Sequence, residues 1–519
     1  MENPNIWLTR RASGVLAHLS SLPSRFGIGN MGEGARKFID FLHEHKFSYW
    51  QICPVGPTGY GDSPYQSFSS FAGNPYFIDL EDLIEKGFVD EEWVEPLTNL
   101  PEQEVAYGEV YKLFWNILSL ASDRFFENPS PLGFQTYEEF IKAEADWLEP
   151  YVLFMALKLA NGGIPWHQWS IELRNWESAK EQSHSDEILA EANRQRFYQY
   201  CFYQQWHELR CAAHEKEIQI IGDLPIYVSY DSADCWQDPE LFMLDGEGRQ
   251  ITVSGVPPDY FSEFGQLWGN PLYDWELHQK TGFDWWLNRV GRSFRIYDVI
   301  RLDHFRGFDS YWAVKSGASD ARVGDWLRAP GEEFFKAINS KIPLAKLIAE
   351  DLGYITEDVY KLRTSFGLPG MKILQFGFGH DRNQVNLPHC FERNSVVYTG
   401  THDNDTTRGW LASSSGEQKQ RVRSYFKTES SHSAWPMIQA AFATVSNLAV
   451  VPLQDLLDLS SWARFNTPGT ASGNWKWRFT QEQLDRMIER RGEQIRYWQD
   501  LYCRTGEDAN LEFSESPEH

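Results

Sequence analysis

Cysteine and basic residues are scarce in this sequence, and each scarcity excludes a class of protein. The six cysteines are spread over 519 residues without a Cys-x-x-Cys or Cys/His cluster, so we expect neither a zinc knuckle nor a disulfide framework. The 48 Lys and Arg residues are outnumbered by 73 Asp and Glu residues, which gives a formal net charge of −25. A field of that sign repels a polyphosphate backbone, and we expect no nucleic-acid partner.

Long hydrophobic runs are also missing. No stretch approaches the roughly 18 apolar residues that a membrane-spanning helix needs, and residues 1–11 contain no apolar core of a signal peptide. We therefore expect no membrane association and a cytoplasmic location, or a plastid one if a transit segment is absent from this sequence.

Eight short apolar runs, flanked by turn residues, predict buried strands. Helix-length amphipathic segments such as residues 34–45 and 331–339 lie between several of them, and this alternation predicts parallel strands joined by crossover helices. The eight runs are residues 14–20, 49–55, 218–223, 299–303, 347–350, 371–376, 396–401 and 449–453.

The number of runs favours a closed (β/α)₈ barrel of the TIM type over a doubly wound sheet, which shows the same alternation. A dinucleotide-binding sheet should carry a Gly-x-Gly-x-x-Gly loop after its first strand. Here the first run continues into Leu19-Ser-Ser-Leu-Pro23, which is no such loop. We predict an α/β chain in which a single catalytic barrel spans residues 1–519, with large insertions between barrel strands.

Two insertions are predicted where the spacing between successive strands exceeds what one crossover requires. Residues 80–214 are helical in pattern and rich in Trp and Glu, and we predict a mainly helical insertion subdomain there. Residues 231–298 are rich in Gly, Pro and aromatic residues. We predict a loop-rich insertion at the mouth of the active site, because loops that follow barrel strands line the active face.

Four of the predicted strands lead into an acidic residue, namely Asp223, Asp303, Glu350 and Asp403. Burying an ionised carboxyl at a strand end destabilises the fold unless the group is paired or takes part in catalysis. For a single such acid, a structural ion pair is therefore as good an explanation as an active site. Several such acids at one end of a barrel favour an active site instead.

Converging acids without a cysteine or metal cluster are typical of glycosidic-bond cleavage, in which one carboxylate attacks the anomeric carbon and another protonates the leaving oxygen. Arg301 lies two residues before Asp303 and on the same strand face, where it would keep that nucleophile ionised; a plain salt bridge is the alternative. The apolar residues before Glu350 would raise the pKa of that carboxyl, as a general acid requires. Strand-end acids also bind Mg²⁺, but we find no phosphate loop or accompanying basic residue of the kind such sites usually need.

Eight segments of the chain match one enzyme family in order and spacing. They are SPYQSFSSFAGNPY from Ser63, GDLPIY from Gly222, GVPPDYFS from Gly255, WGNPLY from Trp268, RLDHFRG from Arg301, AEDLG from Ala349, GTHDNDT from Gly400 and RFNTPGT from Arg464. On these segments the chain closely resembles the 4-α-glucanotransferases of glycoside hydrolase family 77, in the α-amylase clan. They are called amylomaltases in bacteria and disproportionating enzymes in plants, and the resemblance runs almost end to end.

The resemblance implies a role for each of three carboxylates. Asp303 would be the nucleophile, Glu350 the acid/base, and Asp403 the carboxylate that holds the distorted donor sugar. The donor subsite would be lined by Tyr65, Asp223, Arg301 and His402, with Tyr65 stacked on the reacting ring. Further glucan contacts are implied at Tyr60, Tyr260, Phe261, Gln266, Trp268, Phe376 and Asn466. Phe264 stands where the family pattern has Thr, in the loop 255–268 that arches over the cleft in this family.

The activity implied is the transfer of an α-1,4-glucan segment to the 4-hydroxyl of an acceptor glucan or glucose by a retaining double displacement. The expected partners are maltooligosaccharides, starch and, as a further candidate, glycogen. No cofactor and no metal is expected, because neither a Ca²⁺ cage nor a cofactor motif is evident. Two alternatives stay open: an α-glucan hydrolase, which shares the carboxylates, and a glucan-binding protein with an inactive barrel, against which the intact set of acids argues.

Overall fold

The computed structural model describes residues 6–59, 61–182, 184–258, 263–379, 384–428 and 432–506. Its strands fall into a closed barrel and a smaller antiparallel sheet. In chain order they are β1 (Ala12–Leu16), β2 (Tyr49–Gln51), β3 (Gln219–Leu224), β4 (Thr252–Val256), β5 (Gln266–Pro271), β6 (Val299–Leu302), β7 (Ser310–Lys315), β8 (Asp325–Arg328), β9 (Leu347–Ala349), β10 (Gly370–Ile373), β11 (Ser395–Tyr398) and β12 (Leu448–Pro452).

The barrel consists of eight parallel strands in the order β1-β12-β11-β10-β9-β6-β3-β2, with β2 closing on β1. Each of the eight apolar runs coincides with one of these strands, so the predicted TIM barrel is confirmed and the doubly wound sheet is excluded. The observed strands mostly end before the predicted runs do, and β6 and β9 each end one residue before an acidic residue.

Helices surround the barrel and form much of the rest of the chain. The α-helices are α1 (Glu33–Glu44), α2 (Leu80–Glu85), α3 (Glu91–Val94), α4 (Tyr107–Glu127), α5 (Tyr137–Ala160), α6 (Trp176–Ala179), α7 (Asp186–Glu215), α8 (Ala233–Gln237), α9 (Trp275–Lys280), α10 (Asp284–Ile296), α11 (Gly331–Lys341), α12 (Glu357–Ser365), α13 (Leu374–Gly377), α14 (Thr407–Ser413), α15 (Gly416–Phe426), α16 (Trp435–Ala443), α17 (Leu453–Leu456) and α18 (Gln481–Leu501). Among the described residues, no helix combines the length and the apolar character needed to cross a membrane.

Residues 80–214 contain the helices α2 to α6 and most of α7. The longest two, α5 and α7, pack on one another through aromatic rings, with the rings of Phe140 and Tyr200 5.7 Å apart and those of Trp147 and Tyr203 also 5.7 Å apart. The end of α7 leads directly into β3, so this segment is joined to the barrel wall without a linker.

The segment 231–298 holds the strands β4 and β5 and the helices α8 to α10 in addition to loops. The two strands join β7 and β8 in an antiparallel sheet of order β5-β4-β7-β8, which the apolar pattern did not predict. The reason is physical: β5 and β8 are largely half-buried or exposed, and a sheet with one wet face shows no continuous apolar run.

The barrel interior is filled by apolar side chains from alternate strand positions, as the two-residue period of a strand requires. Ile221, Val299 and Ile348 belong to this interior cluster on β3, β6 and β9. Each of them precedes by two residues a polar residue at the carboxyl-terminal end of its strand. The same inward rows therefore carry apolar packing at the bottom of the barrel and polar groups at its top.

Candidate active site

Four predicted site residues stand at the tops of three adjacent strands. Asp223 lies in β3, Arg301 in β6 with Asp303 directly after it, and Glu350 directly follows β9. Asp223 and Arg301 are register partners across β3 and β6, and β6 pairs with β9 on its other side. The barrel thus gathers residues that are up to 127 positions apart in sequence at one face.

Arg301 joins two of the carboxylates. Its Nη1 lies 2.8 and 2.6 Å from the two carboxylate oxygens of Asp223 and 3.0 Å from Oδ1 of Asp303. The side chains of Arg301 and Asp223 are only 4% and 1% exposed, whereas that of Asp303 is 27% exposed. Arg301 and Asp223 therefore form a buried pair, and Asp303 is the member of the trio that reaches the open cleft.

The proton affinity of Asp303 reflects this position. Burial raises the pKa of Asp303 to about 7, Arg301 opposes the rise, and the neighbouring carboxylates of Asp223 and Asp403 add to it. The contact with Arg301 is direct, so the guanidinium favours the ionised form that a nucleophile needs.

Glu350 is held by the turn that follows Asp303. The backbone N–H of His304 donates to Oε2 of Glu350 at 2.7 Å. His304 adopts a left-handed φ of 47°, which is uncommon for a residue with a side chain and marks a tight turn directly after Asp303. Burial raises the pKa of Glu350 well above its ordinary value, with Arg301 opposing and Asp303 reinforcing the rise. The two carboxyls titrate as a pair, and the direct contact of Arg301 with Asp303 together with the raised pKa of Glu350 favours Glu350 as the protonated member.

Asp403 is placed by the loops after β11 and β12. Nδ2 of Asn466 donates to Oδ1 of Asp403 at 2.6 Å, and Nη2 of Arg464 donates to the Asp403 carbonyl at 2.8 Å. Its side chain is 43% exposed, so the fixed carboxylate faces the cleft. These contacts bring Asn466, a predicted glucan-contacting residue, to the same site.

Tyr65 and His402 complete a hydrogen-bonded chain behind these acids. The Tyr65 hydroxyl donates to Oδ2 of Asp223 at 2.8 Å and lies 2.9 Å from Nε2 of His402. A hydroxyl has a single proton, so His402 must donate from Nε2 to the Tyr65 oxygen. Burial lowers the pKa of His402, which is consistent with this neutral tautomer. The two rings are stacked at 5.4 Å with an interplanar angle of 19°.

The remaining predicted glucan contacts are less closely connected to the carboxylates. Trp268 in β5 meets the His304 ring edge-on at 4.8 Å and donates from Nε1 to Gln266 at 3.2 Å. Phe376 in α13 packs against the barrel interior. Tyr60, Tyr260 and Phe261 lie outside the described residues.

Two residues of the site region were not singled out in the sequence. The ring of Trp475 lies 5.8 Å from that of Tyr65 and 6.1 Å from that of His402, and no local pattern connects these positions. Asp455 accepts hydrogen bonds from Thr407 and Thr399 and so braces the segment after β11. A signal for Asp455 did exist, because it is a further acid just beyond a predicted strand.

Within the described ranges, no three His, Cys, Asp or Glu side chains are grouped so that they could hold a metal ion. The expectation of metal-independent activity stays a prediction.

We expect Glu350→Gln to raise the melting temperature at pH 8 and to change it little at pH 4. An unfolded Glu loses its proton near pH 4.3, whereas folded Glu350 keeps it to higher pH. Between these two pKa values the folded chain binds one proton more than the unfolded chain, so the free energy of unfolding falls as pH rises. The neutral amide of Gln does not titrate and therefore avoids this loss of stability. Thermal unfolding of both proteins across pH 4 to 8 measures it.

The matched control for this experiment is Glu493→Gln, which removes an exposed carboxyl from the middle of α18. Its effect on the melting temperature should be small at both pH values. A melting temperature of Glu350→Gln that is lower than that of the unsubstituted protein at pH 8 would contradict the assignment of a raised pKa to Glu350.

Comparison with known proteins gives a consistent result over nearly the whole chain. A family model described as 4-alpha-glucanotransferase matches residues 17–484. The 4-alpha-glucanotransferase of Synechocystis sp. is 45% identical over 487 residues, covering 92% of this chain and 95% of that protein. The 4-alpha-glucanotransferase of Thermus thermophilus is 45% identical over 482 residues, covering 91% and 96%. Among solved structures, the amylomaltase from Streptococcus agalactiae in complex with acarbose has a TM-score of 0.90 at 37% identity, covering 95% of this chain and 100% of that one.

Proposed function

The chain belongs to the 4-alpha-glucanotransferase family, and from that premise we propose that it moves a segment of an α-1,4-glucan to the 4-hydroxyl of an acceptor glucan or glucose with retention of configuration. The observation that carries the mechanism is the pairing of Asp303 and Glu350 at neighbouring strand ends. Asp303 contacts a buried guanidinium, which favours its ionised form, whereas burial raises the pKa of Glu350 well above its ordinary value, so we assign the proton of the pair to Glu350.

The first step that we propose is attack on the donor glucan by an Asp303 carboxylate oxygen at the anomeric carbon. The bond from that carbon to the glycosidic oxygen breaks, and the oxygen takes the proton of Glu350. The leaving chain departs with a free 4-hydroxyl. The donor segment stays on the enzyme as a β-linked ester of Asp303.

The second step reverses the first with a different alcohol. Glu350, now a carboxylate, removes the proton from the 4-hydroxyl of an acceptor, whose oxygen attacks the anomeric carbon. The ester bond to Asp303 breaks and the α-configuration is restored. Arg301 stabilises the carboxylate of Asp303 before the first step and after the second, at the 3.0 Å contact between them.

The donor sugar is placed in this proposal by groups that surround Asp303. Asp403, held by Asn466 at 2.6 Å, would accept hydrogen bonds from the hydroxyls of the distorted ring. His402 has its Nε2 proton committed to Tyr65, which fixes the position of both rings at the wall of the pocket. The cluster is pre-formed, so little reorganisation is needed when the transition state develops.

Transfer requires that an acceptor reaches the intermediate before water does. The strands β4 and β5 support transfer over hydrolysis, because Trp268 on β5 lies against His304, one residue beyond the nucleophile. An aromatic wall at that position favours a sugar ring over water. No specific observation favours the hydrolase alternative.

The substrates that we propose are maltooligosaccharides and starch, with glycogen as a further candidate, since a neutral polysaccharide is indifferent to a net charge of −25. We further propose a cytoplasmic location. All six cysteines are free thiols, as is usual for proteins of a reducing compartment.

Incubation with maltotriose tests the proposed function directly. Transfer should produce free glucose together with maltopentaose and longer oligomers, while the number of reducing ends stays nearly constant. Chromatography of the oligomer ladder and a reducing-end assay measure the two quantities on the same sample. Reducing ends that rise without longer products would support a hydrolase, and an unchanged maltotriose peak would support an inactive barrel.

A further inference from the structure

Two aromatic side chains on segments that follow β6 and β9 are exposed. Tyr354 is 78% exposed and Trp326 is 42% exposed. The guanidinium of Arg306 lies between them, 3.9 Å from the centre of the Trp326 ring and 5.5 Å from that of Tyr354. We call Trp326, Arg306 and Tyr354 the aromatic platform. Exposed single apolar residues are common, whereas here two exposed rings flank one guanidinium.

The aromatic platform is built from anchored segments. Arg306 is 7% exposed and donates from Nη1 to the carbonyl of Tyr354. Trp326 on β8 is the register partner of Trp312 on β7, and the two rings are 5.3 Å apart. Two residues further, Arg328 bonds Asp309 at 2.7 Å and so ties β8 to the loop after β6. The exposed rings are therefore held in place rather than left on a mobile surface.

The platform is close to the reacting groups. Arg306 comes three residues after Asp303, and Tyr354 comes four residues after Glu350. Extended chain spans at most about 11 Å over three residues and about 14 Å over four, which are upper limits for the corresponding Cα distances. A short oligosaccharide bound at the catalytic carboxylates can cover such a distance.

The position of the aromatic platform next to Glu350 indicates which part of the glucan it would bind. Tyr354 belongs to the loop that carries Glu350, and Glu350 exchanges its proton with the leaving chain and the acceptor. Apart from Arg301 on β6, the residues assigned to the donor sugar come from strands other than β6 and β9, namely Asp223 from β3, and Asp403 and Asn466 from the loops after β11 and β12. A glucan on the platform would therefore belong to the acceptor.

Arg306 holds the platform together, since its Nη1 donates to the Tyr354 carbonyl, its guanidinium faces the Trp326 ring and its Nε is buried. The contacts with a ligand therefore come from the two rings. Sugar rings offer apolar faces that stack on aromatic side chains, and Tyr354 and Trp326 present two such side chains at the surface.

We propose that Trp326, Arg306 and Tyr354 form an outer acceptor subsite, where a glucan chain beyond the reacting 4-hydroxyl stacks on the aromatic rings. The inference rests on the proposed transferase function and deepens it. The subsite makes the enzyme sensitive to acceptor length: glucose is too short to reach the platform, whereas an acceptor of several sugars contacts it.

The test compares two acceptors with one donor. The donor is α-maltosyl fluoride with its terminal 4-hydroxyl blocked, so that it cannot serve as an acceptor. Tyr354→Ala should lower kcat/KM for maltotetraose as acceptor about fivefold to tenfold, as expected for one aromatic contact, and leave kcat/KM for glucose unchanged. Because Tyr354 is 78% exposed, the substitution should not disturb folding.

Tyr360→Ala is the matched control. Tyr360 on α12 is 49% exposed and its ring also lies against an arginine, with the Arg363 guanidinium 5.1 Å away. It should leave both acceptors unaffected. An equal loss for glucose and maltotetraose in Tyr354→Ala, or no loss for either, would overturn the outer subsite. Fluoride release by the unsubstituted enzyme without transfer to either acceptor would instead overturn the proposed function itself.

Discussion

Asp303→Asn should reduce maltotriose disproportionation by at least about 10⁴-fold, because the amide cannot form the ester intermediate. The fold should be retained, since Arg301 keeps its two contacts with Asp223. The rate of glucose release from maltotriose measures activity, and thermal unfolding measures the fold.

The control for this substitution is Asp485→Asn, which removes an exposed carboxyl on α18, far along the chain from the site. It should have the activity of the unsubstituted enzyme. A folded Asp303→Asn protein that disproportionates maltotriose within tenfold of the normal rate would remove Asp303 from the role of nucleophile.

Glu350→Gln should separate two kinds of donor. With maltotriose the rate should fall about 10³-fold, because the leaving sugar oxygen needs a proton that the amide cannot supply. With α-maltosyl fluoride the first step should persist, since fluoride leaves without protonation. The intermediate should then accumulate, because no base activates the acceptor, and a burst of fluoride release measures this.

Azide provides the decisive readout for Glu350→Gln, because an anionic nucleophile needs no general base. Added azide should restore turnover of α-maltosyl fluoride, and attack on the β-linked ester should give α-maltosyl azide. Asp303→Asn serves as the control, since it should give neither burst nor rescue. An equal loss of rate with maltotriose and with the fluoride would show that Glu350 does not act as the acid/base.

The eight barrel strands were predictable because each is buried on both faces. Parallel strands of this kind appear in sequence as short continuous apolar runs, and all eight runs coincide with strands. The antiparallel sheet of β4, β5, β7 and β8 was missed for the opposite reason. Its edge strands β5 and β8 are largely half-buried or exposed and carry polar residues, as the exposed Asp325 and Arg328 of β8 illustrate.

The gathering of acids at one face could also be argued from the sequence. The two-residue period placed Arg301 and Asp303 on one face, and their 3.0 Å contact agrees with that argument. Tyr65, His402 and Asn466 were reached through family resemblance, since nothing in their local sequence connects them to Asp303. Neither the strand period nor the family resemblance identified Trp475, because its contacts with Tyr65 and His402 join distant parts of the chain.

The sequence by itself determined the class of barrel, the positions of its strands and the set of carboxylates, since these depend on local periodicity and residue type. Only the tertiary structure decided which hydrogen-bond partners and which pKa shift each carboxylate has. Arg301 is shared between Asp223 and Asp303, whereas Glu350 meets a backbone amide, and burial raises the pKa of both Asp303 and Glu350. Such differences arise from strand register and desolvation, which sum contributions from the whole fold and are not encoded at any one position.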